Sequence, residues 1–481
     1  MVQEPANKSE TTLACSAIRN QGSGYRNAGC LPKSANVESG LHRTPRRAGA
    51  KTARCFVSQL GRGSPFRCAG FLTSGSFSDR RESLGLVRRF LQSPSLFLAS
   101  TIAVMSVMPA HAADTLAGAI KEGDATLSFR LRYEDVTDKS AAEDANALTL
   151  KTRLNYKTGD FNGISALVEF DDVTELDEVD YNAVVDGPST ATKIVDPEGT
   201  EVNQAYLAFS GLDKTVIKAG RQRILLDNQR FVGGVGFRQN EQTYDALTLT
   251  NKSLPDTTLF YGYVGEVNGI VGKATKHDTH LLNAKYTGFD AGALTAYYYN
   301  FAEDKVGGYD LDTYGVRFAG ATKVSDASKL LYTVEYASQD NGTTEPDYYV
   351  VEGGVAFSGV TTKIGYEVLG SDGGIGFNTP LATKHKFQGW ADQFLGTPGN
   401  GIEDLYLTVG TTVAGVKLLA VYHDYESEAS SADLGSEYGF IVAKKLGKNY
   451  GLSLKYSSYD ASAESGKADK SKLWLTATAK F

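Results

Sequence analysis

The stretch LSFRLRYE, residues 127–134, alternates between two kinds of side chain with a period of two. One set is apolar or aromatic: Leu127, Phe129, Leu131 and Tyr133. The other set is polar: Ser128, Arg130, Arg132 and Glu134. Residues 473–481 alternate in the same way and end at Phe481. Successive side chains of a strand point to opposite faces, so both segments are predicted to be strands with one apolar and one polar face.

Similar alternating segments lie between these two ends of the pattern. They are centred near Leu150, Val168, Leu207, Ile217, Leu247, Tyr261, Ala284, Ala296, Val316, Val334, Val351, Ile364, Leu407, Ala420, Phe440 and Leu454. No helical period of comparable length occurs. The pattern therefore predicts an all-β chain of about 18 strands, with about 16 as the alternative.

The connections between the predicted strands distinguish a membrane barrel from a soluble sandwich. Short connections such as 157–163 and 211–214 alternate with long ones such as 172–200, 222–242 and 370–401. Bacterial outer-membrane barrels have short periplasmic turns and long extracellular loops. The sequence thus predicts a closed antiparallel transmembrane β-barrel with both ends in the periplasm, because lipid cannot hydrogen-bond to an open sheet edge.

Aromatic side chains recur near the ends of the predicted strands, as an interfacial girdle requires. They are Tyr133, Tyr156, Phe170, Phe209, Tyr286, Tyr298, Tyr336, Tyr366 and Tyr456. The C-terminal Phe481 closes an alternating strand and resembles the signal that the barrel-assembly machinery reads. We therefore expect that machinery, the outer-membrane lipid and lipopolysaccharide as partners.

The N-terminal region differs from the rest of the chain. Residues 1–86 are rich in Arg, Ser and Gly, and they contain all four cysteines. Arg88 and Arg89, the apolar run 96–107 and the Ala-His-Ala sequence at 110–112 predict a secretory signal peptide over 87–112, cleaved near Ala112. We interpret 1–86 as a non-native or disordered extension, with a genuine basic pro-segment as the alternative. The barrel would then comprise 113–481, which lack the thiols that an oxidising periplasm could mispair.

Charge distribution limits the partners of the predicted barrel. The formal net charge is −7, and loss of the basic leader makes it more negative, which argues against nucleic acid. The predicted lumen face nevertheless has more basic than acidic side chains. Its basic members are Arg130, Arg132, Lys151, Arg153, Lys285, Arg317, Lys363, Lys417, Lys455 and Lys480. Its acidic members are Glu134, Glu169, Glu335, Glu352, Glu367 and Asp404.

Much of the negative charge is therefore expected in loops. A dense acidic run consists of Asp171, Asp172, Glu175, Asp177, Glu178 and Asp180. It is predicted to be a solvated loop. The alternative is a bridge of divalent cations to lipopolysaccharide, since carboxylate oxygens suit Ca²⁺ and Mg²⁺.

The segment GRQRILLDNQRFVGGVGFRQNEQTYDALT, residues 220–248, is the most distinctive of the chain. Its arginines are Arg221, Arg223, Arg230 and Arg238, and its acidic residues are Asp227, Glu241 and Asp245. Guanidinium groups hold carboxylates by paired hydrogen bonds, so these arginines could attract anionic solutes to a pore. They could equally form an internal network with carboxylates that braces a loop folded into the barrel.

Three stretches resemble the porins of the alginate-export family. They are DPEGTEVNQAYL at 196–207, the first 27 letters of the segment above at 220–246, and NTPLATKHKFQGWADQFLGTPGNGIEDLYL at 378–407. The resemblance does not reach residues 1–87. It implies an 18-stranded barrel whose arginine-containing pore is constricted by loops. By this resemblance the constriction candidates are Arg221, Arg223, Asp227, Arg230, Arg238 and Asp245, and the solutes are anionic saccharides or an alginate-like polymer.

The long connection 370–404 is rich in aromatic side chains, with Phe387, Trp390 and Phe394 beside His385. Such a loop could stack on sugar rings at the mouth of a pore. The alternative is a long loop that is ordered by packing its own aromatic side chains together.

The sequence offers little for an enzyme. Beyond residue 112 the histidines are His277, His280, His385 and His423, and neither a G-x-S-x-G nor an H-E-x-x-H motif occurs. No cofactor or metal is expected. The predicted function is a porin for passive passage of small or anionic solutes, and a surface receptor or adhesin is the alternative. The oligomeric state stays open, with a monomer favoured.

Overall fold

The computed structural model describes residues 113–177, 181–185 and 189–481. The expected extension over 1–86 and the expected signal peptide over 87–112 lie outside the described residues. Within them the chain forms one antiparallel sheet of 18 strands and very little helix. No helix in this part of the chain is long and apolar enough to cross a bilayer.

The strands follow one another around the barrel in chain order, and a short helix precedes them. The helix is α1 (Leu116–Lys121). The first barrel strands are β1 (Asp124–Asp138), β2 (Ala145–Lys157), β3 (Ile164–Glu175), β4 (Gly199–Leu212), β5 (Thr215–Gln222), β6 (Thr243–Asn251), β7 (Thr257–Asn268), β8 (Ala274–Phe289) and β9 (Gly292–Ala302). The next are β10 (Asp310–Ser325), β11 (Ser328–Asp340), β12 (Asp347–Phe357) and β13 (Val360–Leu369).

The long connection 370–401 divides this series from the last five barrel strands. It contains the short strands β14 (Ser371–Asp372) and β15 (Ile375–Gly376), which pair with each other, and a single 3₁₀ turn, Lys384–Lys386. The remaining barrel strands are β16 (Ile402–Val413), β17 (Val416–Glu426), β18 (Asp433–Leu446), β19 (Tyr450–Asp460) and β20 (Lys470–Lys480). Every predicted strand centre falls inside an observed barrel strand, and the prediction of 18 strands is confirmed.

The first and last strands close the sheet. Leu131 of β1 pairs with Leu150 of β2 on one side and with Ala477 of β20 on the other. Leu127 and Phe481 exchange two backbone hydrogen bonds, of 3.0 and 2.8 Å. Closure leaves the sheet without a free edge, which is the condition for a sheet to lie in lipid.

The two faces of the wall carry the polarity that the alternation predicted. The outward residues Leu154, Leu207 and Val351 are 48%, 59% and 53% exposed, as is expected of side chains that contact lipid. Their inward neighbours Lys151 and Glu169 are buried although they are charged. The barrel is thus apolar outside and polar inside, the reverse of a soluble domain.

The connections alternate in length around the barrel. One end has turns such as 213–214, 358–359 and 414–415, and the other end has the long loops 176–198, 223–242 and 370–401. Helix α1 lies at the short-turn end, where Gly159 donates a backbone hydrogen bond of 2.9 Å to Ala119.

The acidic run beyond Phe170 is not a single solvated loop. Asp171, Asp172 and Glu175 lie in β3, and Asp171 is fully buried on its inward face, while Glu178 and Asp180 lie outside the described residues. The expectation failed because β3 continues past the apparent end of its alternation, where inward cations offset the acidic charge. Among the described residues no group of three or more His, Cys, Asp or Glu could hold a metal ion.

Candidate functional site: two loops inside the barrel

The loops 223–242 (the first loop) and 370–401 (the second loop) fold into the lumen and contact each other there. Gly233 donates a backbone hydrogen bond of 2.9 Å to Leu381, and Val232 and Leu381 form a parallel bridge. Both side chains are buried with the inward wall residues Tyr297 and Tyr348. The lumen is therefore narrowed from within by the loops, and the space beside them is the candidate site of passage.

A tight turn at Gly389 holds the second loop against the wall. Its φ of 80° is in the left-handed region, and a Cβ at this position would collide with the carboxylate of Glu437 and the hydroxyl of Tyr425. The Glu437 carboxylate on β18 accepts hydrogen bonds from the backbone N–H groups of Trp390 and Ala391. Only glycine permits this close approach, so the loop is anchored through its backbone.

Two wall arginines hold the backbone of the first loop. The Arg130 side chain donates from Nε to Oε1 of Gln239 at 2.8 Å and from Nη1 to the carbonyl oxygen of Gly236 at 3.0 Å. Arg132 donates to the carbonyl oxygen of Phe237 at 2.7 Å and lies over its ring. Both predicted pore-lining residues face inward as expected, but Arg132 is only 3% exposed and acts on the loop.

Arg238 connects the two loops to each other and to the wall. Its guanidinium lies 2.8 Å from Oε2 of Glu134 and 3.2 Å from Oδ2 of Asp392. Burial alone would lower the pKa of Arg238, but the carboxylates of Glu134, Asp196 and Asp392 raise it above its ordinary value. Arg238 therefore stays charged while shielded from solvent.

Arg230 makes an equivalent link further along the same loop. Its Nε lies 2.9 Å from Oε1 of Glu367, and its Nη2 donates to Gln388 at 3.0 Å. The Arg230 guanidinium also lies 4.7 Å from the centroid of the Phe387 ring. Since the Arg230 residue is only 2% exposed, this arginine braces the loops and is shielded from any passing solute.

A cluster of alternating charges joins the first loop to β2 and β3. Arg153 lies 2.6 Å from Asp171 and 2.8 Å from Glu241, and Lys151 lies 2.8 Å from Asp171. Arg223 binds both Glu169 and Glu241. Burial would raise the pKa of Glu241, yet Lys151, Arg153 and Arg223 lower it to about 2. Arg153 and Arg223 keep 19% and 23% of their side chains exposed to the lumen, whereas Lys151 is buried.

Further charged residues lie beside the part of the lumen that the two loops leave open. Arg317 lies 2.5 Å from Glu335 on the adjacent strand. Asp227 is exposed in the first loop with a φ of 49°, and it accepts a hydrogen bond of 2.8 Å from Asn283. Lys386 of the second loop is exposed, and its Nζ donates to the carbonyl oxygen of Asn228 at 2.8 Å.

Arg221 and Asp245 lie on the other side of the wall. They form a two-pronged pair, with hydrogen bonds of 2.7 and 3.0 Å. They are also register partners, and the alternation places them on the face that carries the outward Leu207 and Leu247. Neither therefore lines the constriction, contrary to expectation. Both residues were grouped with the arginines of the loop because they share the segment 220–248, although they lie in its flanking strands: β5 extends to Gln222 and β6 starts at Thr243.

The aromatic residues of the second loop contact other protein groups. Phe394 is 6% exposed and packs on Tyr425, with ring centroids 4.9 Å apart. The Trp390 ring lies 4.2 Å from Nζ of Lys455. These aromatic side chains therefore order the loop by packing against residues of the barrel wall, whereas the sequence predicted that they would stack on solutes or pack together.

His385 occupies the centre of this packing. Its ring stacks on Phe237 at 3.7 Å, Nδ1 lies 2.6 Å from Asp392, and Nε2 lies 2.6 Å from Nζ of Lys455. Burial, opposed by Asp392 and assisted by Lys455, lowers the pKa of His385 to about 3. The neutral ring can then donate to Asp392 and accept from Lys455.

Two inward lysines were not predicted from the sequence. Lys218 on β5 faces the lumen opposite Thr248, and Lys386 was hidden in a loop without periodicity. The alternation around Ile217 contains the signal for Lys218, since its neighbours in sequence are apolar and outward. No sequence signal places Lys386, because the fold of its loop depends on distant partners.

Comparisons with known proteins agree with this geometry. The family model for alginate export matches residues 123–381. A BenF-like porin from Pseudomonas fluorescens Pf-5 is similar in structure, with a TM-score of 0.60 and 14% identity over 76% of this chain and 100% of that one. No curated protein sequence matches the chain.

Two further solved structures share the fold. Acinetobacter baumannii OccAB2 has a TM-score of 0.58 and 18% identity over 76% of this chain and 99% of that one. Pseudomonas aeruginosa OccD3 (OpdP) has a TM-score of 0.58 and 14% identity over 76% of this chain and 92% of that one. Because the family model spans more than half of the chain, this protein belongs to the alginate export family, as an outer-membrane β-barrel porin for small solutes.

Proposed function

We propose that this porin passes small solutes passively and prefers anions. The observation that supports a preference for anions is an imbalance of pairing inside the barrel. Among the described residues, Arg130, Lys218, Lys285 and Lys386 face the lumen without a carboxylate partner within ion-pair distance. Most inward carboxylates, by contrast, already hold a cation, as in the pairs of Glu169, Glu241, Glu335 and Glu367. Asp227, Glu201 and Glu437 are exceptions, since none of them forms an ion pair with a described residue.

Local charge, and not the net charge of −7, governs entry into a narrow pore. Charges on exposed loops are screened within about 8 Å at physiological salt. Low-dielectric walls focus the field of the charges that line the lumen. A paired arginine and carboxylate largely cancel at a distance, so the unpaired cations set the sign of the field that a solute meets.

The predicted site residues divide into two roles in this proposal. Arg130, Arg153, Arg223, Asp227 and Arg317 line the passage, because each keeps part of its side chain accessible beside the loops. The buried residues Arg132, Lys151, Arg230 and Arg238 hold the loops in place. Phe387 and Trp390, which are half-buried, border the passage, and Phe394 packs the loop.

The test is the reversal potential of the reconstituted porin in a KCl gradient. We expect the wild type to prefer chloride. The double variant Lys285→Gln, Lys386→Gln should lower the permeability ratio of chloride to potassium by about twofold, the scale of exposed charge interactions. Arg221→Gln is the matched control, since it removes a positive charge from the outward face and should leave the ratio unchanged.

A wild type that prefers potassium would refute the proposal. So would a change in Arg221→Gln as large as the change in the double variant, because the lumen would then not be the origin of selectivity.

Export of an alginate-like polymer is the second candidate, favoured by the description of the family model. A polyuronate needs an extended row of free cations, whereas the arginines of the first loop are mostly engaged with carboxylates or buried. Uronate oligomers that block the current at low concentration would favour this candidate. The receptor or adhesin is not favoured, because the loops 223–242 and 370–401 fold inward and are largely occupied there.

The remaining expectations are also proposals. The signal peptide 87–112 would be cleaved near Ala112, and the barrel-assembly machinery would recognise the strand that ends at Phe481. The inserted porin would act as a monomer in contact with lipopolysaccharide. We propose no enzymatic role, since channel and not catalytic chemistry characterises the family and fold.

A further inference from the structure

A recess of about 210 Å³ lies between the wall and the start of the first infolded loop. Its floor belongs to three neighbouring strands, in which Lys218 pairs with Thr248 and Thr250 pairs with Phe260. Its roof is Leu225 and Leu226 of the loop. The recess is smaller than the 300–1,000 Å³ or so that drug-sized ligands occupy, so it suits a solute of one ring or a short chain.

One end of the recess is cationic and unsatisfied. The ammonium group of Lys218 lies 4.8 Å from the centroid of the Tyr206 ring, and it forms no ion pair with any described residue. The hydroxyl of Thr250 likewise has no hydrogen-bond partner in the described part of the chain. Gln222 and Thr248 are engaged with each other through a hydrogen bond of 2.9 Å. A carboxylate beside Lys218 would therefore find one cation and one free hydroxyl.

The other end of the recess is apolar. Leu225 is 51% exposed although its loop lies inside the barrel, and Leu226 and Phe260 border the same space. Covering an exposed leucine with an apolar group is favourable, because it removes apolar surface from water. Sugar hydroxyls would gain little here and would lose their hydrogen bonds to water.

We propose that this recess binds small monocarboxylates that carry an apolar ring or a short alkyl chain. The carboxylate lies at Lys218 and Thr250, and the apolar body lies between Leu225 and Phe260. The site rests on the proposed function only in that the solute must enter the lumen. Arg223 also borders the recess, but Glu169 and Glu241 already hold its guanidinium group. The recess therefore discriminates between anions by their apolar part.

The experiment uses benzoate and glucuronate as probes of equal charge. Each is added to single channels of the purified outer-membrane protein, and the half-blocking concentration is measured together with the reversal potential in KCl. We expect benzoate to block at a concentration at least tenfold lower than glucuronate. Lys218→Gln should raise the half-blocking concentration of benzoate about tenfold, the factor that corresponds to loss of roughly 1.4 kcal/mol of binding.

Two further variants separate a binding site from a general effect of charge. Lys285→Gln removes another unpaired inward lysine outside the recess, and it should change block by benzoate less than twofold. Leu225→Ser removes the apolar roof. It should weaken block by benzoate about fivefold and leave the reversal potential unchanged.

Equal block by benzoate and glucuronate would overturn the proposed site, and so would equal effects of Lys218→Gln and Lys285→Gln. Either result in a channel that still prefers chloride would leave the proposed anion preference intact. A channel that prefers potassium would refute that preference, while selective block by benzoate that depends on Lys218 and Leu225 would still support the recess.

Discussion

Arg221 and Arg230 lie close together in the sequence but in opposite surroundings. Arg230 is 2% exposed and contacts Glu367, whereas the Arg221 side chain is 27% exposed on the outward face beside Asp245. Removal of one partner from a buried ion pair leaves an uncompensated charge, while an exposed pair contributes little. Residue type alone therefore does not indicate what each arginine contributes.

We predict that Arg230→Met destabilises the infolded loops by roughly 3–5 kcal/mol, because Glu367 would remain buried without its cation. Limited proteolysis should then cleave within 370–401, where the wild type resists. Arg221→Met is the matched control and should cost at most about 1 kcal/mol. The double variant Arg230→Met, Glu367→Leu should recover much of the resistance. Equal cleavage of the two single variants would contradict the assigned role of Arg230.

The sequence allowed the face of most wall residues to be predicted, since the alternation alone decides it. Lys151, Arg153 and Arg317 were placed inward for this reason, and the structure agrees. The ion-pair partners of these side chains were harder to predict from the sequence. Arg238 and Asp392 lie 154 residues apart, and no local pattern connects them. Arg221 was misplaced because it was grouped with the loop arginines, although the alternation of Ile217 and Ala219 continues to it and places it outward.

The two infolded loops behave as one element, because each provides the other with partners. His385 and Asp392 of the second loop contact Phe237 and Arg238 of the first. Their position inside the barrel could not be derived from length or composition, which are compatible with loops that extend into solvent. The strands were predictable for the opposite reason, since their period is local.

Acid should loosen this pair of loops. The pKa of His385 falls from 6.5 to about 3 in the folded loop, and that of Glu241 falls from 4.5 to about 2. In both cases the unfolded loop binds protons that the folded loop does not. Folding stability is therefore complete above the ordinary pKa and is lost as pH falls towards the folded value.

We predict that the two loops first lose stability between about pH 6.5 and pH 4.5. Over this interval the protonation of His385 costs roughly 2–3 kcal/mol. Proteolysis of 370–401 should increase over this interval. His385→Gln provides the control, since an amide can donate to Asp392 and accept from Lys455 without titrating. An unchanged pH dependence in that variant would show that His385 is not the responsible group.

The whole molecule has two ends of different character, and their assignment to the two sides of the membrane can be tested. The described residues contain no cysteine, so a single introduced thiol is a specific label site. Lys305 lies in the connection 303–309 at the long-loop end and is 56% exposed. Asp326 lies in the turn 326–327 at the opposite end and is fully exposed.

An impermeant maleimide should label Lys305→Cys on intact cells. It should label Asp326→Cys only after the outer membrane is opened, because short turns face the periplasm in barrels of this class. The reverse pattern would invert the orientation of the barrel. Labelling of both thiols on intact cells would mean that the outer membrane is leaky, which a periplasmic marker protein would reveal.

The seam between β1 and β20 has a consequence for how the barrel is made. It joins residues separated by almost the whole sheet, as in the pair Ser128 and Lys480. Such a contact has the largest loop-closure cost of any in the wall, and all other strand pairs can form before it. Until the final strand arrives, the growing sheet has two unpaired edges that could bind another unfolded chain. The C-terminal strand is thus the step that ends the exposure of the nascent barrel to aggregation.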